Sequence, residues 1–338
     1  MRSAWISIGR VDQVAKPGDY FSYDLLGEPL VTVRDTDGVL RVMSRVCRHR
    51  GFLVIGGAGN RKSLQCQYHL WSYGLDGRLL GAPEMQQASG FDRASCRLPE
   101  IRHEQWQGWI FVNLDTSASA LGPELTPLSK ILDAYGVADW VALEPLVFDS
   151  PWNWKVMVDN FMESYHHAGI HPDTLQLITP AVTTRAEDTP GPFAILHNPT
   201  RGEPMPTAMP VSPVLGAEQL REFIVVAVFP FHLFAVSPDN MQYYQIQPLG
   251  PEHIMLRIFT CIPRAAANEK YAKLHRDLAA LISQIHRQDI PVCRGIQAGY
   301  RSRFAAPGRY SHLEKALWQF HSYVLGRLIG EGQHAGER

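Results

Sequence analysis

Two cysteines and two histidines alternate in the first quarter of the chain at a spacing that suits an iron–sulfur centre. They occur as Cys47-x-His49 and, after sixteen intervening residues, as Cys66-x-x-His69. Exchanging two thiolates for imidazoles on one iron removes negative charge and raises the reduction potential to between roughly −150 and +300 mV. Zinc fingers instead pair cysteine with cysteine and histidine with histidine. The alternating order therefore favours a [2Fe–2S] cluster over a Cys2His2 zinc site.

A second group of possible metal ligands lies in the middle of the chain. Residues 153–167 contain no proline or glycine, which predicts a helix that carries His166. His171 comes five positions later, about 140° around a helix, so the two rings can face one metal only if the helix ends between them. Gly169 can end it in a left-handed cap, and Pro172 prevents its continuation.

A predicted C-terminal helix offers a third ligand. Its apolar positions recur at steps of three and four: Tyr271, Leu274, Leu278, Leu281, Ile285, Val292 and Ile296. Asp289 follows Ile285 on this stripe, where a carboxylate is costly unless it is paired or metal-bound. Pro291 is expected to kink the helix nearby. His166, His171 and Asp289 have the composition of a 2-His-1-carboxylate triad, which leaves positions open on ferrous iron.

Several of these residues also have simpler interpretations. His167 can be a packing residue or an outer partner of a ligand, and Asp289 alone can be a buried ion-pair partner or a helix-kink residue. Asp159 can be a solvated carboxylate or a hydrogen-bond acceptor near the metal. Four aromatic residues can line a pocket or belong to the core: Phe161, Phe231, Tyr243 and Tyr244.

The motifs together resemble those of one enzyme family. They are CRHRG at 47–51, CQYHLWSYGLDGRL at 66–79, NWK at 153–155, the Glu-x-Tyr-His-x4-His run at 163–171 and Gln-Asp at 288–289. The chain resembles the oxygenase (alpha) component of the Rieske non-haem iron oxygenases, the ring-hydroxylating and demethylating family. Most of the chain takes part in this resemblance.

The resemblance implies two iron centres in each chain. One is a Rieske [2Fe–2S] cluster on Cys47, His49, Cys66 and His69. The other is a mononuclear Fe(II) on His166, His171 and Asp289. It further implies a homotrimer in which Glu163 links the iron site to His69 of the neighbouring subunit. Glu163 and Asp289 are therefore the predicted catalytic residues.

The implied activity is oxygenation with electrons from outside the chain. No nicotinamide or flavin motif occurs, so a separate ferredoxin or NAD(P)H-dependent reductase must supply the electrons. The predicted reaction is cis-dihydroxylation or monohydroxylation of a small aromatic substrate, as in aromatic hydrocarbon catabolism. Oxidative O- or N-demethylation is the alternative within the family. A Rieske electron carrier or ligand-binding protein with an inactive second site is the alternative from another class.

The chain departs from the family pattern at four positions. Glu163 replaces a frequent aspartate, and Arg48 and Gln67 stand where proline is common. Gln288 replaces the glutamate that often precedes the aspartate ligand. None of these changes removes a predicted ligand.

The predicted fold is α+β in two domains. Residues 1–115 form an all-β Rieske [2Fe–2S] domain, and 116–138 form a connector. Residues 139–338 form a catalytic domain of the helix-grip type, an antiparallel sheet with flanking helices. Strands with helices but without regular βαβ alternation support this assignment.

Composition excludes several other classes. The 338-residue chain has a net charge of −1 and no basic run, so nucleic-acid binding has little support. The longest apolar stretch, residues 223–236, is too short to span a membrane. Its pattern predicts two strands around a turn. The first twenty residues lack a signal core, which predicts a cytoplasmic protein. Three further cysteines are expected to be free thiols: Cys96, Cys261 and Cys293.

Overall fold

The computed structural model describes residues 2–329 and divides the chain into two compact units between Leu121 and Gly122. That division falls inside the predicted connector. None of the helices within the described residues is long and apolar enough to cross a membrane. The fold as a whole is α+β, as predicted.

The helical and strand elements of the first unit are short β-strands and single turns of 3-10 helix. Its last residue, Leu121, begins the first α-helix. The strands are β1 Ile6–Arg10, β2 Asp19–Leu25, β3 Glu28–Arg34, β4 Leu40–Ser44, β5 Ala58–Asn60, β6 Leu64–Gln65, β7 Ser72–Tyr73, β8 Leu79–Gly81, β9 Arg102–Trp106 and β10 Trp109–Asn113. They form three antiparallel sheets, ordered β1-β10-β9, β4-β3-β2-β5 and β6-β7-β8. The small β6-β7-β8 sheet is the one from which a predicted ligand loop extends.

One apolar core of this unit encloses the two predicted cysteine ligands. Cys47 and Cys66 are buried among the side chains of Leu64, Trp71 and Tyr73. The Asp76-Gly77 pair lies in the turn between β7 and β8, and Gly77 adopts a φ of 85°, which favours glycine. The ligand loops are thus anchored in packed side chains.

The second unit is built on an eight-stranded antiparallel sheet. Its strands are β11 Val141–Ala142, β12 Leu146–Ser150, β13 Arg185–Ala186, β14 Phe193–Pro199, β15 Glu222–Val228, β16 His232–Val236, β17 Met241–Gly250 and β18 His253–Ile262. The order is β11-β18-β17-β16-β15-β14-β13, and β12 also pairs with β18. The apolar stretch 223–236 forms β15 and β16 around a turn, which confirms that prediction.

Seven α-helices are found among the described residues, and some of them pack against this sheet. The seven helices are α1 Leu121–Glu124, α2 Thr126–Tyr135, α3 Trp154–Phe161, α4 His167–Ile170, α5 Leu175–Ile178, α6 Ala272–Tyr300 and α7 Lys315–Ile329. α6 packs against α3 and β12, and α7 packs against β14. This is the antiparallel sheet with flanking helices that the sequence predicted.

One face of the sheet carries the helices that bear the candidate iron ligands. Directly paired residues of an antiparallel sheet share a face, and Tyr244 on β17 pairs with Leu233 and Ile258. Its ring lies 4.6 Å from that of Phe161 on α3. On β14, Asn198 accepts a hydrogen bond from Ser164 at 2.6 Å. We call this side of the sheet the inner face.

The helix predicted over 153–167 is shorter than expected, and this prediction was wrong. α3 ends at Phe161, and the Glu163 carboxylate accepts a hydrogen bond from the backbone N–H of His166 in the following turn. Gly169 does not form the predicted left-handed cap but lies inside α4. The side chain of Glu163 thus stabilises a turn where the pattern predicted a continuous helix.

The C-terminal helix also differs from expectation. α6 includes Pro291, and the kink expected there stays a prediction. Leu281, assigned to the buried stripe, is 41% exposed. The buried residues in the C-terminal half of α6 are mainly polar: His286, Asp289, Cys293 and Gln297.

Candidate iron–sulfur and mononuclear iron centres

Two loops of matching backbone geometry present the four predicted cluster ligands. The N–H of Cys47 donates to the carbonyl of Phe52 at 2.8 Å, and the N–H of Cys66 donates to that of Trp71 at 2.9 Å. Both bonds span five residues. Four positions after each cysteine, Gly51 and Leu70 have φ values of 74° and 58°. The two loops therefore hold their ligands in equivalent ways.

The donor set fits a [2Fe–2S] cluster with mixed ligation. The rings of His49 and His69 lie 4.6 Å apart, and the buried Nδ1 of His49 has no hydrogen-bond partner within the described residues. The Tyr73 hydroxyl accepts from the N–H of Arg48 at 3.0 Å and lies 3.3 Å from the Sγ of Cys47. Its own hydrogen is thus available to the sulfur, as a thiolate ligand requires.

Electrostatics in this unit favour a neutral imidazole at His49, the form that an iron ligand requires. Burial, and then the neighbouring His69, lower the pKa of His49 below its ordinary value. The Trp71 ring stacks on His49 at 4.7 Å with the planes nearly parallel. This contact holds the imidazole in one orientation.

In the second unit, the three predicted iron ligands converge. One ligand atom each from His166, His171 and Asp289 lies within 4.8 Å of the others. His171 and Asp289 are buried, with exposures of 1% and 6%. The Nε2 atoms of His166 and His171 lie 3.7 and 2.9 Å from Oδ1 of Asp289. Two imidazoles and a carboxylate facing one point make a donor set that fits ferrous iron.

Outer hydrogen bonds orient each of these ligands. Nδ1 of His166 lies 2.5 Å from Oε1 of Glu163, and Nδ1 of His171 lies 2.8 Å from Oε1 of Gln288. Asn160 donates to Asp289 at 3.3 Å. When an acceptor occupies Nδ1, the Nε2 lone pair is left for a metal.

A hydrogen-bond network links α3, which precedes the two candidate histidine ligands, to α6, which carries Asp289. The N–H of Asn153, at the start of α3, donates to the side chain of Gln297 on α6 at 2.8 Å. The amide of Gln297 in turn donates to Glu252, between β17 and β18, at 3.0 Å. Gln297 therefore joins α3, α6 and the β17–β18 hairpin.

The structure shows the contacts of the residues for which the sequence left two interpretations. His167 is buried with its Nδ1 3.4 Å from the carbonyl of Thr179, and burial lowers its pKa to about 3. It is not one of the converging ligands. Asp159 pairs with Nε2 of His321 at 2.8 Å and is not solvated alone. Of the four aromatic candidates, Tyr244 and Phe161 lie on the inner face, while Tyr243 points to the other.

Two buried residues on the stripe of Asp289 were not predicted from the sequence as part of the site. They are Gln297, in the network above, and His286, which packs between Phe148 and Tyr244 at ring distances of 4.3 and 6.3 Å. Within the described residues neither ring nitrogen of His286 has a hydrogen-bond partner, and burial lowers its pKa to about 4. Both residues are spaced from Asp289 so that they fall on the same side of the helix. This spacing was the feature of the sequence from which their burial could have been predicted.

Comparisons with known proteins agree with this geometry. Residues 4–100 match the model of the Rieske [2Fe–2S] domain, and residues 137–330 match that of the ring hydroxylating alpha subunit (catalytic domain). An all-β unit with a candidate cluster and an α+β unit with a candidate iron site define a two-centre iron protein. The chain belongs to the ring-hydroxylating alpha subunits of the Rieske non-haem iron oxygenases. A [2Fe–2S] cluster and a mononuclear iron are accordingly its cofactors.

Among curated proteins, the chain is 35% identical over 172 residues to the carnitine monooxygenase oxygenase subunit of Acinetobacter baumannii. That alignment covers 50% of this chain and only 46% of the relative. The choline monooxygenase of Spinacia oleracea is 24% identical over 344 residues, covering 96% of this chain and 73% of the relative.

The fold matches a solved structure of a quaternary ammonium Rieske monooxygenase, described in connection with carnitine oxidation. The TM-score is 0.84 at 24% identity, and the match covers 96% of this chain and 88% of the other. At this identity the likeness establishes the fold alone.

Proposed function

We propose that the protein is the oxygenase component of a monooxygenase acting on a small quaternary ammonium compound. In this proposal Cys47, His49, Cys66 and His69 hold the cluster, and His166, His171 and Asp289 hold the iron. The sequence favoured hydroxylation of an aromatic substrate, with oxidative O- or N-demethylation as the alternative within the family. The named relatives shift the preference, since the two described above act on carnitine and choline.

The iron, when bound, would supply dioxygen activation, and the chain's own residues would position the substrate. Insertion of one oxygen atom into a C–H bond next to nitrogen consumes O2, two electrons and two protons and releases water. The resulting N–CH2OH group loses its hydroxyl proton to water and leaves as formaldehyde, while the C–N bond breaks and the nitrogen keeps the electron pair. The protein contributes orientation and exclusion of competing reactions.

The observation that carries the substrate class is the pair of aromatic rings beside the iron ligands. Phe161 directly follows Asn160, which donates to Asp289. Burial, and then the Asp289 charge, raise the pKa of Tyr244, so that hydroxyl remains neutral next to the site. Quaternary ammonium groups bind the faces of such rings. Ala235 alone of the five residues of β16 is not buried, and it lies on the inner face two positions from Leu233, the partner of Tyr244.

Substrate identity can be tested with a panel of carnitine, choline, glycine betaine and small arenes. The full chain would be supplied with iron and a generic reductase, and products would be identified by mass spectrometry. We expect gain of one oxygen or loss of a methyl group as formaldehyde, from the ammonium compounds only. Products from arenes alone, with two added oxygens and two hydrogens, would restore the aromatic prediction.

We expect Tyr244→Leu to raise KM for the accepted ammonium compound by about 30-fold, since a desolvated cation–π contact contributes ~2 kcal/mol. Tyr244→Phe keeps the ring and serves as the matched control. It should retain most of the affinity. An unchanged KM in Tyr244→Leu would place the cation elsewhere.

Electrons are proposed to come from a ferredoxin or reductase, and to pass between subunits of a homotrimer. The ligand loops expose apolar side chains: Phe52, Leu53, Tyr68 and Leu70. Near Glu163 the second unit exposes Tyr165, which is 57% accessible. Exposed apolar side chains at both centres support contact between the cluster loops of one copy and the iron site of another.

Leu70 provides the sharpest support for this contact. It is 52% exposed, yet it adopts a left-handed φ of 58° where the equivalent loop has Gly51. A left-handed conformation costs a non-glycine residue roughly 1–2 kcal/mol. Backbone strain of this kind is found at functional positions, so we infer that the side chain is retained for binding.

Leu70→Gly therefore tests the trimer without straining the loop. We expect the cluster spectrum to be unchanged, while the assembly dissociates at higher protein concentration in sedimentation experiments. Leu80→Ala, which removes an apolar side chain that is 46% exposed on β8, is the control. If Leu70→Gly assembles as the wild type does, these loops are not the interface.

A further inference from the structure

Gln288 lies directly before Asp289 on α6 and bonds to a different ligand. Its Oε1 is 2.8 Å from Nδ1 of His171 and accepts a hydrogen bond from the Thr174 hydroxyl at 3.2 Å. α6 thus presents two consecutive side chains to the site, Asp289 as a ligand and Gln288 as a partner of His171. Thr174, in the segment after His171, helps to hold the amide in place.

The chemistry of these atoms determines the state of the ring. An amide oxygen only accepts hydrogen bonds, so Nδ1 of His171 must carry the hydrogen. Nε2, which lies 2.9 Å from Oδ1 of Asp289, is then the ring nitrogen whose lone pair is left for a metal. This is the tautomer in which a histidine binds a metal.

The two histidine ligands have different outer partners. His166 faces the carboxylate of Glu163, whereas His171 faces an uncharged amide. A carboxylate partner makes an imidazole a stronger donor to the metal. Among the outer partners of the two histidines, the negative charge therefore lies only on the His166 side.

We propose that Gln288 is a positioning residue that fixes the metal-binding tautomer of His171 while giving that ring an uncharged outer partner. The inference rests on the proposed iron ligands. At position 288 this chain has an amide, whereas family members frequently have a carboxylate there.

The test compares Gln288→Leu and Gln288→Glu in the full chain, with anaerobic Fe(II) as the probe. Chelator competition gives the affinity of the mononuclear site, and EPR after nitric oxide treatment reports its ligand environment while the oxidised cluster is diamagnetic. Gln288→Leu should weaken Fe(II) binding about 10–100-fold, the usual effect of losing an outer partner. Gln288→Glu should restore the affinity, shift the EPR signal and make the iron easier to oxidise.

Two controls separate the possible failures. Gln284→Leu makes the same change one turn earlier at an exposed position of α6 and should behave as the wild type. Asp289→Ala should lose the iron, and if it did not, the proposed ligand set itself would be wrong. If Asp289→Ala loses iron but Gln288→Leu binds it normally, only the role of Gln288 is refuted. Equal weakening by Leu and Glu would also refute it, because a purely steric role predicts that result.

Discussion

Replacing Asp289 by alanine should remove the mononuclear iron, abolish substrate oxidation and leave the visible spectrum of the cluster intact. Asp289 provides the only carboxylate in the converging group of ligand atoms among the described residues. Without it, two imidazoles hold ferrous iron poorly, and Asn160 loses its acceptor. The cluster ligands belong to the other unit and are not touched by the change. Iron analysis should therefore show one ion fewer per chain.

Asp277→Ala is the matched control for that experiment. Asp277 lies on the same helix but is exposed, where it pairs with Lys273 at 2.6 Å. An exposed i,i+4 pair of this kind contributes only ~0.3–0.5 kcal/mol. Its loss should change neither iron content nor turnover. If Asp289→Ala still oxidised substrate, its role as a ligand would be refuted. A wild type without mononuclear iron would favour the electron-carrier alternative.

The second large effect is expected at Glu163. Glu163→Gln should leave both metals bound but slow turnover by about 10–100-fold, as loss of an outer partner of a ligand typically does. The carboxylate now contacts His166 twice, at the ring Nδ1 and at the backbone N–H. An amide has one accepting oxygen and no charge, so it cannot reproduce both contacts. The charge proposed to face the neighbouring cluster is lost with it.

Stopped-flow measurements can localise the defect. Reduction of the cluster by dithionite should proceed at the wild-type rate in Glu163→Gln, since that step does not involve the iron site. Reoxidation of the cluster in the presence of substrate and O2 should be slow. Glu163→Asp keeps the charge and should fall between the two proteins. Normal reoxidation in Glu163→Gln would argue against a link between the centres through this residue.

The spacing of Cys47, His49, Cys66 and His69 was sufficient to predict the cluster because the ligands of each pair are close in sequence. The convergence of His166 and His171 with Asp289 was also predictable, since the helical stripe marked the carboxylate as buried. These predictions depended on local periodicity and on the cost of burying charge. The structure brings the three residues together as expected.

Other features depend on contacts that local patterns do not contain. The end of α3 at Phe161 follows from the bond between the Glu163 side chain and the backbone of His166. The burial of His286 and Gln297 follows from the packing of α6 against β12 and α3, across more than a hundred residues of sequence. The aromatic substrate prediction came from the family as a whole, whose motifs specify the oxidant and not the molecule oxidised.

The polar groups buried along the second half of α6 have a consequence for engineering this helix. Successive residues of a helix are about 100° apart. A one-residue slip would therefore carry Asp289 away from the iron and would break the bond between Gln297 and Asn153 at the same time. Only one rotation of the helix about its axis satisfies both contacts. A chimera that receives this helix must therefore also receive Asn153 and Glu252. Without their bonds to Gln297, the helix would not be held in the rotation that directs Asp289 at the iron.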